Sequence, residues 1–175
     1  MGLPEEYSEA LIVLNELKEK EIIQDYAIGG GLAIIHHNVK YASQDLDVFA
    51  IITSEDSFHI LQPVYKYFRD RGHKAKKEHI YIGNIPIQIF PNVSPLHNNA
   101  VEEADKVEVG GIPTKIIGVE HLIALSLIAF RPTDKWRIRE LLAEADKGRL
   151  NKILDRFDNE KNPLHKRYQK VLASS

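Results

Sequence analysis

The sequence contains no cysteine and no long apolar segment, and each absence narrows what the chain can be. Without cysteine there is no disulfide framework, no thiolate nucleophile and no zinc site with sulfur ligands. The longest apolar stretch, Leu122 to Phe130, is far shorter than the roughly 20 residues that a membrane-spanning helix needs. The first ten residues, MGLPEEYSEA, lack the basic start and apolar centre of a signal peptide. We therefore expect a cytoplasmic protein with no membrane partner.

The rest of the composition is ordinary for one globular domain: 175 residues, of which 43% are hydrophobic and 27% charged. The formal net charge of −2 conceals an asymmetry. Residues 1–130 contain 11 Lys or Arg and 18 Asp or Glu, whereas residues 131–175 contain 12 and 7. The basic segment is either a solvated helical surface or a surface for a polyanion, such as a nucleoside triphosphate or nucleic acid. Composition leaves both interpretations open.

Hydrophobic periodicity predicts an α/β (α+β) fold, with a mixed sheet, flanking helices and a C-terminal helical bundle. Strands are predicted at 25–28 and 46–52, followed by hairpins that turn at Gly83-Asn84 and Gly110-Gly111. Predicted helices cover 5–21, 32–37, 53–71 with Thr53-Ser54 as the cap, 99–105, 120–130, 135–147, 150–157 and 164–172. We expect a core over residues 1–118 and a helical region over residues 119–175 packed on it. Pro86 and Pro113 should face a sheet edge or a bulge, because proline lacks a ladder donor.

The residues that predict chemistry are a glycine run and an Asp-x-Asp pair. Gly30 and Gly31 stand between a predicted strand and a predicted helix, where backbone N–H groups can approach a phosphate closely. Asp45 and Asp47 lie two apart at a strand start, so their carboxylates share one face and can bind the same hard cation. Alone, the glycines indicate a tight turn and the aspartates a cap. Together they predict a phosphate-binding loop beside a Mg²⁺ site, the minimum for phosphoryl or nucleotidyl transfer.

The segment from Ile28 to Phe49, IGGGLAIIHHNVKYASQDLDVF, resembles the signature of the polymerase-β-type nucleotidyltransferase superfamily. That signature is Gly-Gly or Gly-Ser, a short helix and then Asp-x-Asp. The segment is especially similar to small bacterial and archaeal members that include toxin-type nucleotidyltransferases. In those, a histidine, a basic residue and a serine or threonine precede Asp-x-Asp, and His36, Lys40 and Ser43 stand at these places.

The resemblance covers roughly residues 22–145, because the segments 120–125 and 131–134 are similar to the helical part of these proteins. It implies a nucleotidyltransferase core that binds a nucleoside triphosphate and Mg²⁺. An acceptor hydroxyl would attack the α-phosphorus and expel pyrophosphate. By the same resemblance, Asp45 and Asp47 would be the catalytic residues and metal ligands. The residues it assigns to nucleotide binding are Gly30, Gly31, Lys40, Ser43 and Arg131.

One position departs from the superfamily pattern. Active members carry a third carboxylate on a neighbouring strand, where it helps the acceptor hydroxyl lose its proton, and Gln88 stands at the matching position. An amide cannot accept that proton at neutral pH. Losing a general base commonly lowers a rate by about 10²- to 10⁴-fold. His36 and His37 are candidate substitutes, because imidazole titrates near neutrality, and Glu78 on the other hairpin arm is a third.

Three functional hypotheses follow from these residues. The first is a Mg²⁺-dependent nucleotidyltransferase-like protein that transfers a nucleoside monophosphate to an unknown hydroxyl acceptor, with RNA as one candidate. The second is a catalytically degenerate protein that binds a nucleotide or a partner protein, and Gln88 favours it. The third is a toxin–antitoxin component that modifies RNA, which rests on the resemblance and the basic C-terminal segment.

Overall fold

The computed structural model describes residues 5–53 and 59–174, and within them the chain forms seven strands and eight α-helices. The strands are β1 (Asp25–Ile28), β2 (Leu46–Ile51), β3 (Lys74–Lys76), β4 (His79–Ile82), β5 (Ile85–Pro91), β6 (Asp105–Val109) and β7 (Ile112–Ile116). The helices are α1 (Ser8–Glu19), α2 (Gly30–His36), α3 (Gln62–Asp70), α4 (Pro95–Glu102), α5 (Val119–Ala129), α6 (Pro132–Leu141), α7 (Lys147–Phe157) and α8 (Leu164–Ala173). A short 3₁₀ turn, Glu5–Tyr7, precedes α1.

The strands form one mixed sheet in the order β3-β4-β5-β2-β1-β7-β6. At its centre β2 pairs antiparallel with β1 and parallel with β5, so the strands that carry the Asp-x-Asp pair and Gln88 are direct neighbours. β7 pairs parallel with β1, and the outer pairs are antiparallel. The sequence prediction of a mixed sheet with flanking helices is therefore confirmed.

Both hairpins form as the sequence predicts, with turns at 83–84 and 110–111. Pro86 pairs with its hairpin partner but lies just before the stretch of β5 that pairs with β2. Pro113 is placed in the same way, because β7 pairs with β1 only at Ile116. Neither proline therefore interrupts the ladder to a second neighbour, as expected. Strand β3 escaped prediction because its three residues, Lys-Ala-Lys, are all exposed and carry no apolar pattern.

Several helix ends differ from the predicted ones. Helix α4 begins at Pro95, before the predicted start at Asn99, because the Ser94 hydroxyl caps it by accepting from the His97 N–H. Helix α6 covers Pro132–Leu141 and not 135–147. Helix α3 begins at Gln62, whereas the sequence predicted a helix capped at residues 53–54. Ser54 of that predicted cap and Phe58 of its apolar stripe lie outside the described residues.

The core lies on both faces of the sheet. Leu11, Leu14 and Leu17 of α1 are fully buried, and α1 contacts β1 and β7. The apolar helix α5 packs against α6, α7 and α8, and also against α2 and α4. It begins at Val119, so the boundary expected after residue 118 falls between β7 and α5. The division into a core over 1–118 and a helical region over 119–175 stays a prediction.

None of the helices in residues 5–53 and 59–174 has the length and apolar character that a bilayer-spanning helix requires.

Candidate functional site

The glycine run forms a tight turn that presses the start of α2 against β2. The Gly29 N–H donates to the Asp47 carbonyl oxygen at 2.8 Å. Gly30 has a φ of +55°, and a β-carbon there would lie 1.6 Å from Asp47 Oδ2. A β-carbon on Gly31 would lie 2.5 Å from Ser43 Oγ. Only glycine fits at either position, because any side chain would displace the carboxylate or the serine.

The two aspartates differ in their surroundings. Asp45 is exposed, whereas Asp47 is half-buried beside the glycine turn. Burial raises the pKa of Asp47 above its usual range, and the neighbouring charge of Asp45 raises it further. The guanidinium of Arg137 and a hydrogen bond from the Gly31 N–H oppose that rise. The carboxylate of Asp47 therefore sits where a bound cation would favour its charged form.

A row of three polar residues crosses the sheet at this point. Asp47 on β2 pairs with Gln88 on β5, and Gln88 pairs with His79 on β4. Residues in register on neighbouring strands project from the same face, so their side chains stand side by side. His79 Nε2 is 3.9 Å from Asp45 Oδ2. The row thus joins the Asp-x-Asp pair to a histidine that sequence reasoning had missed.

A buried aspartate fixes two arginines at the start of α6. The Asp134 side chain is 2% exposed and accepts from the Arg131 backbone N–H at 2.9 Å and from Arg131 Nε at 2.8 Å. Arg137 Nη1 lies 3.6 Å from Asp134 Oδ1. This capping arrangement is the reason α6 begins at Pro132.

Arg137 is held from a second side by the loop between α2 and β2. Its Nη2 donates to the Tyr41 hydroxyl at 2.6 Å, and the guanidinium lies 5.1 Å from the centre of the Tyr41 ring. The Arg137 side chain is 21% exposed. Sequence reasoning named Arg131 and missed Arg137, because only the tertiary fold brings Tyr41 to α6.

These elements enclose a cavity of about 400 Å³. One end is polar and is lined by Gly30, Asp45, Asp47, Gln88, Arg131 and Arg137. The other end is aromatic and apolar, and Leu122 and Leu125 of α5 cover it. Phe49 stacks there on Phe90 with ring centres 5.1 Å apart, and on the His97 ring at 5.5 Å. Burial lowers the pKa of His97, so its ring is uncharged at neutral pH.

A comparison with known protein families identifies the family of this chain. A family model described as "Nucleotidyl transferase of unknown function (DUF2204)" matches residues 6–170. The chain belongs to this nucleotidyltransferase family. The match confirms the resemblance to the nucleotidyltransferase superfamily that the glycine and Asp-x-Asp motifs indicated. No curated protein sequence matches the chain significantly.

Solved structures show the same fold. The crystal structure of an antigenic nucleotidyltransferase-like protein from Paracoccidioides brasiliensis is 14% identical, with a TM-score of 0.63 over 94% of this chain and 85% of that chain. The solution structure of the antibiotic-resistance factor ANT(2'')-Ia is 15% identical, with a TM-score of 0.50 over 97% of each chain. At these identities the likeness shows the nucleotidyltransferase-like fold alone.

The nucleotidyltransferase motif does not assemble completely in the cavity. Ser43 Oγ donates to the Asp45 carbonyl oxygen at 3.4 Å and sits behind Gly31. Lys40 is exposed in the loop before β2 and does not line the cavity. Lys135 lies over the Phe130 ring, and Arg139 donates to Ser174, so these two cations are engaged elsewhere.

The three candidate substitutes for the missing carboxylate also lie outside the cavity lining. The Nε2 atom of His37 is 2.8 Å from the Ile117 carbonyl oxygen. The His36 ring packs edge-on against the His37 ring. Glu78 is exposed in the turn before β4. His79, the next residue, is the one in register with Gln88, and counting back from the Gly83-Asn84 turn would have identified it.

A second cavity, of about 770 Å³, lies between α1 and the strands β1, β6 and β7. Three of its charged groups pair with one another, because Asp25 accepts from Lys18 and from Lys115, each at 2.8 Å. The Tyr26 hydroxyl donates to Asn15 Oδ1 at 2.8 Å. These contacts hold α1 to the sheet and leave no free charge among them for a ligand.

The donor set of the first cavity fits a divalent cation. Asp45 and Asp47 supply adjacent carboxylates and Gln88 an amide oxygen, which are hard oxygen donors of the kind that Mg²⁺ binds. Among residues 5–53 and 59–174, no three His, Asp or Glu side chains form a ready-made metal cluster. The protein therefore offers only some of the ligands that a cation needs, which suits an ion that also takes ligands from water and phosphate.

Proposed function

We propose that this nucleotidyltransferase binds a nucleoside triphosphate with Mg²⁺ and transfers the nucleoside monophosphate to a hydroxyl acceptor. The observation that supports this most is the composition of the polar end of the 400 Å³ cavity. There Asp45 and Asp47 face the same space as two arginines, Arg131 and Arg137. Opposite charges in one cavity suit a ligand that is itself a polyanion carrying a cation.

The arginines are suited to hold phosphate groups. Arg131 and Arg137 share Asp134 as a partner, and Tyr41 fixes the Arg137 guanidinium from the other side. A guanidinium positioned in this way can donate two parallel hydrogen bonds to phosphate oxygens without first losing much side-chain freedom. We assign to Arg137 the phosphate contact that Lys40 was expected to make. Arg131 keeps the nucleotide-binding role that the sequence predicted for it. Gly30 lines the same end of the cavity, and its missing side chain leaves room there for the Asp47 carboxylate.

In the proposed reaction the acceptor oxygen attacks the α-phosphorus, the bond from that phosphorus to the bridging oxygen breaks, and pyrophosphate leaves. A bound divalent cation supplies charge neutralisation on the phosphates. Asp45 and Asp47 hold the cation, and Arg131 and Arg137 stabilise the negative charge on the departing pyrophosphate. Gln88 cannot take the acceptor proton, so that proton passes to solvent and we expect slow transfer.

The aromatic end of the cavity indicates what else the ligand carries. Phe49, Phe90 and the uncharged His97 ring present apolar surface next to the charged end. Among the residues that line the cavity, Asp134 is the only carboxylate besides Asp45 and Asp47, and two arginines neutralise it. A planar uncharged ring, such as a nucleobase, suits this end, whereas a polycationic acceptor does not.

Gln88 supports a second candidate, a protein that binds the nucleotide without transferring it. Its amide stands in register with Asp47, where an active member carries a carboxylate. RNA as an acceptor receives less support, because several cations of the basic segment are engaged within the chain. Besides Lys135 and Arg139, Arg167 donates to the carbonyl oxygens of Leu127 and Ile128 at 2.8 Å.

Calorimetry with ATP, CTP, GTP and UTP, each with Mg²⁺, tests binding. We expect at least one to bind, and Asp45→Asn and Asp47→Asn each to weaken Mg²⁺-dependent binding by at least about tenfold. Asp155→Asn is the matched control, since Asp155 pairs with His165 on an exposed surface. If no nucleotide binds, or if the Asp47 variant binds as wild type does, the proposal is wrong. Transfer of an α-³²P label to any added hydroxyl compound then separates a transferase from a binding protein.

A further inference from the structure

We propose that His79 is the third protein ligand of the cation site, in the place that Gln88 leaves without a charged donor. The inference rests on the proposed function, because it takes Asp45 and Asp47 as the other ligands. It changes the expected metal chemistry: two carboxylates and an imidazole bind a different set of divalent ions from three carboxylates.

The first argument is the sheet register. Asp47, Gln88 and His79 occupy one row across β2, β5 and β4, and residues in register project from the same face of a sheet. Asp47 and Gln88 line the cavity, and His79 lies just beyond its lining. Gln88 is on the strand between the other two and therefore separates Asp47 from His79. A long histidine side chain at the outer end of such a row can lean over its neighbour towards the Asp-x-Asp pair.

The second argument is the position of the imidazole itself. His79 Nε2 is 3.9 Å from Asp45 Oδ2, although His79 lies on β4 and Asp45 just before β2, two strands that are not neighbours in the sheet. Two donors that each lie about 2.1 Å from one ion are at most about 4.2 Å apart, so the observed separation allows both to contact a single ion. The Asp45 side chain is 52% exposed, which leaves it room to adjust.

The third argument is the surroundings of His79. Its side chain is 22% exposed, so it is partly enclosed on the sheet and still accessible. Its other neighbour in the row is Lys76 on β3, an exposed residue that can extend its charge into solvent. The carboxylates of Asp45 and Asp47 therefore provide the negative charge near His79 that a cation needs.

An imidazole ligand shifts ion preference. Mg²⁺ favours oxygen donors, whereas imidazole suits transition ions such as Mn²⁺ and Co²⁺. We expect the chain to bind Mn²⁺ more tightly than Mg²⁺. That preference should shrink in His79→Gln, which keeps a polar side chain but removes the imidazole nitrogen.

Pulsed electron paramagnetic resonance on the full chain with Mn²⁺ tests the ligation directly. We expect nitrogen modulation typical of a coordinated imidazole in the wild type, and its loss in His79→Gln. Calorimetry with Mn²⁺ alone should show affinity falling by about tenfold or more in that variant. His165→Gln is the matched control, because His165 Nε2 lies 2.7 Å from Asp155 Oδ1 in a second histidine–aspartate pair.

The outcomes separate this inference from the proposed function. Mn²⁺ binding that is lost in Asp47→Asn, shows no nitrogen modulation and is unaffected by His79→Gln overturns the role of His79 and leaves the carboxylate site standing. Failure of the wild type to bind Mn²⁺ or Mg²⁺, with ATP or without it, overturns both. Because the nitrogen signal is measured on the wild type, the test does not depend on how well the variant folds.

Discussion

The α-carbon of Gly30 lies directly against the carboxylate of Asp47, so closely that a β-carbon on Gly30 would sit 1.6 Å from Asp47 Oδ2. The contact joins the turn after β1 to the middle strand of the sheet. It also brings the two motifs together, because Gly30 leaves the space that the half-buried carboxylate occupies.

Gly30→Ala should damage both stability and the site. The new methyl group must displace Asp47, and alanine at a φ of +55° adds backbone strain, so we expect the free energy of unfolding to fall by more than about 2 kcal/mol. Gly111→Ala is the matched control: its φ is +79° and no atom lies within 4 Å of the added carbon. Urea unfolding should show a loss of only about 1 kcal/mol there. Equal losses in the two variants would argue against the close contact.

Arg137→Gln should weaken binding of inorganic tripolyphosphate and of nucleoside triphosphates alike. It removes a guanidinium that Asp134 and Tyr41 orient towards the cavity, and we expect about a tenfold loss of affinity in calorimetry. Arg156→Gln is the control, because Arg156 also lies 5.1 Å from an aromatic ring centre, that of Phe157, but does not line the cavity. If the two variants bind alike, Arg137 is not a phosphate contact.

Gln88→Glu should strengthen the cation site. The substitution is nearly isosteric and places a third carboxylate in register with Asp47. We expect tighter Mg²⁺ binding and, with an accepted hydroxyl compound, a rise in label transfer of about 10²-fold or more, since the variant regains a general base. Gln169→Glu on the exposed face of α8 adds the same charge elsewhere and should change neither quantity. Unchanged Mg²⁺ affinity in Gln88→Glu would mean that this position does not face the cation.

Stability should fall as the pH falls below about 6.5. Burial lowers the pKa of His121, which is fully buried and lies 2.9 Å from Asn99 Oδ1 through its Nε2 atom. The unfolded chain therefore binds the proton more readily, and unfolding becomes more favourable as the pH drops towards the folded-state pKa. One such histidine contributes at most about 1.4 kcal/mol per pH unit. Urea unfolding at pH 7.5 and 5.5 measures the slope.

His121→Gln supplies an amide N–H in place of the ring N–H and removes the titrating ring, so it should flatten that dependence. His165→Gln leaves the buried ring in place and should retain the wild-type slope. The burial of His97 and His36 lowers their pKa values too, so we expect the flattening to be partial. A slope that His121→Gln leaves unchanged would assign the acid sensitivity to these other histidines.

The residues that the sequence predicted to lie side by side, and that the structure brings together, are close along the chain. Asp45 and Asp47 share a strand start, and Gly30 follows the preceding strand, so strand periodicity and one antiparallel pairing suffice to bring them together. His79 was within reach of the same reasoning, because the register of a two-residue hairpin turn sets its position opposite Gln88. The candidates that the sequence offered, His36, His37 and Glu78, all lie outside the cavity lining.

Arg137 could not be found in that way. Its position depends on the capping by Asp134, which decides where α6 begins, and on Tyr41, a loop residue far away in the chain. Neither contact has a periodic signature. The helix starts that differ from the predicted ones, at α4 and α6, have the same cause. In each, a side chain near the start of the helix accepts a hydrogen bond from a free backbone N–H, and hydrophobic periodicity does not locate that residue.

The glycine run and the Asp-x-Asp pair indicated the family through a resemblance, and hydrophobic periodicity predicted the mixed-sheet fold. The absence of cysteine excluded sulfur ligands of the thiolate kind. These points depend on residue chemistry and short-range patterns. Tertiary structure alone decided which cations face the carboxylates and which face the surface. It also brought His79 Nε2 to 3.9 Å from Asp45 Oδ2. These choices depend on packing between elements distant in the chain, where the free energy of a contact depends on partners that local sequence does not specify.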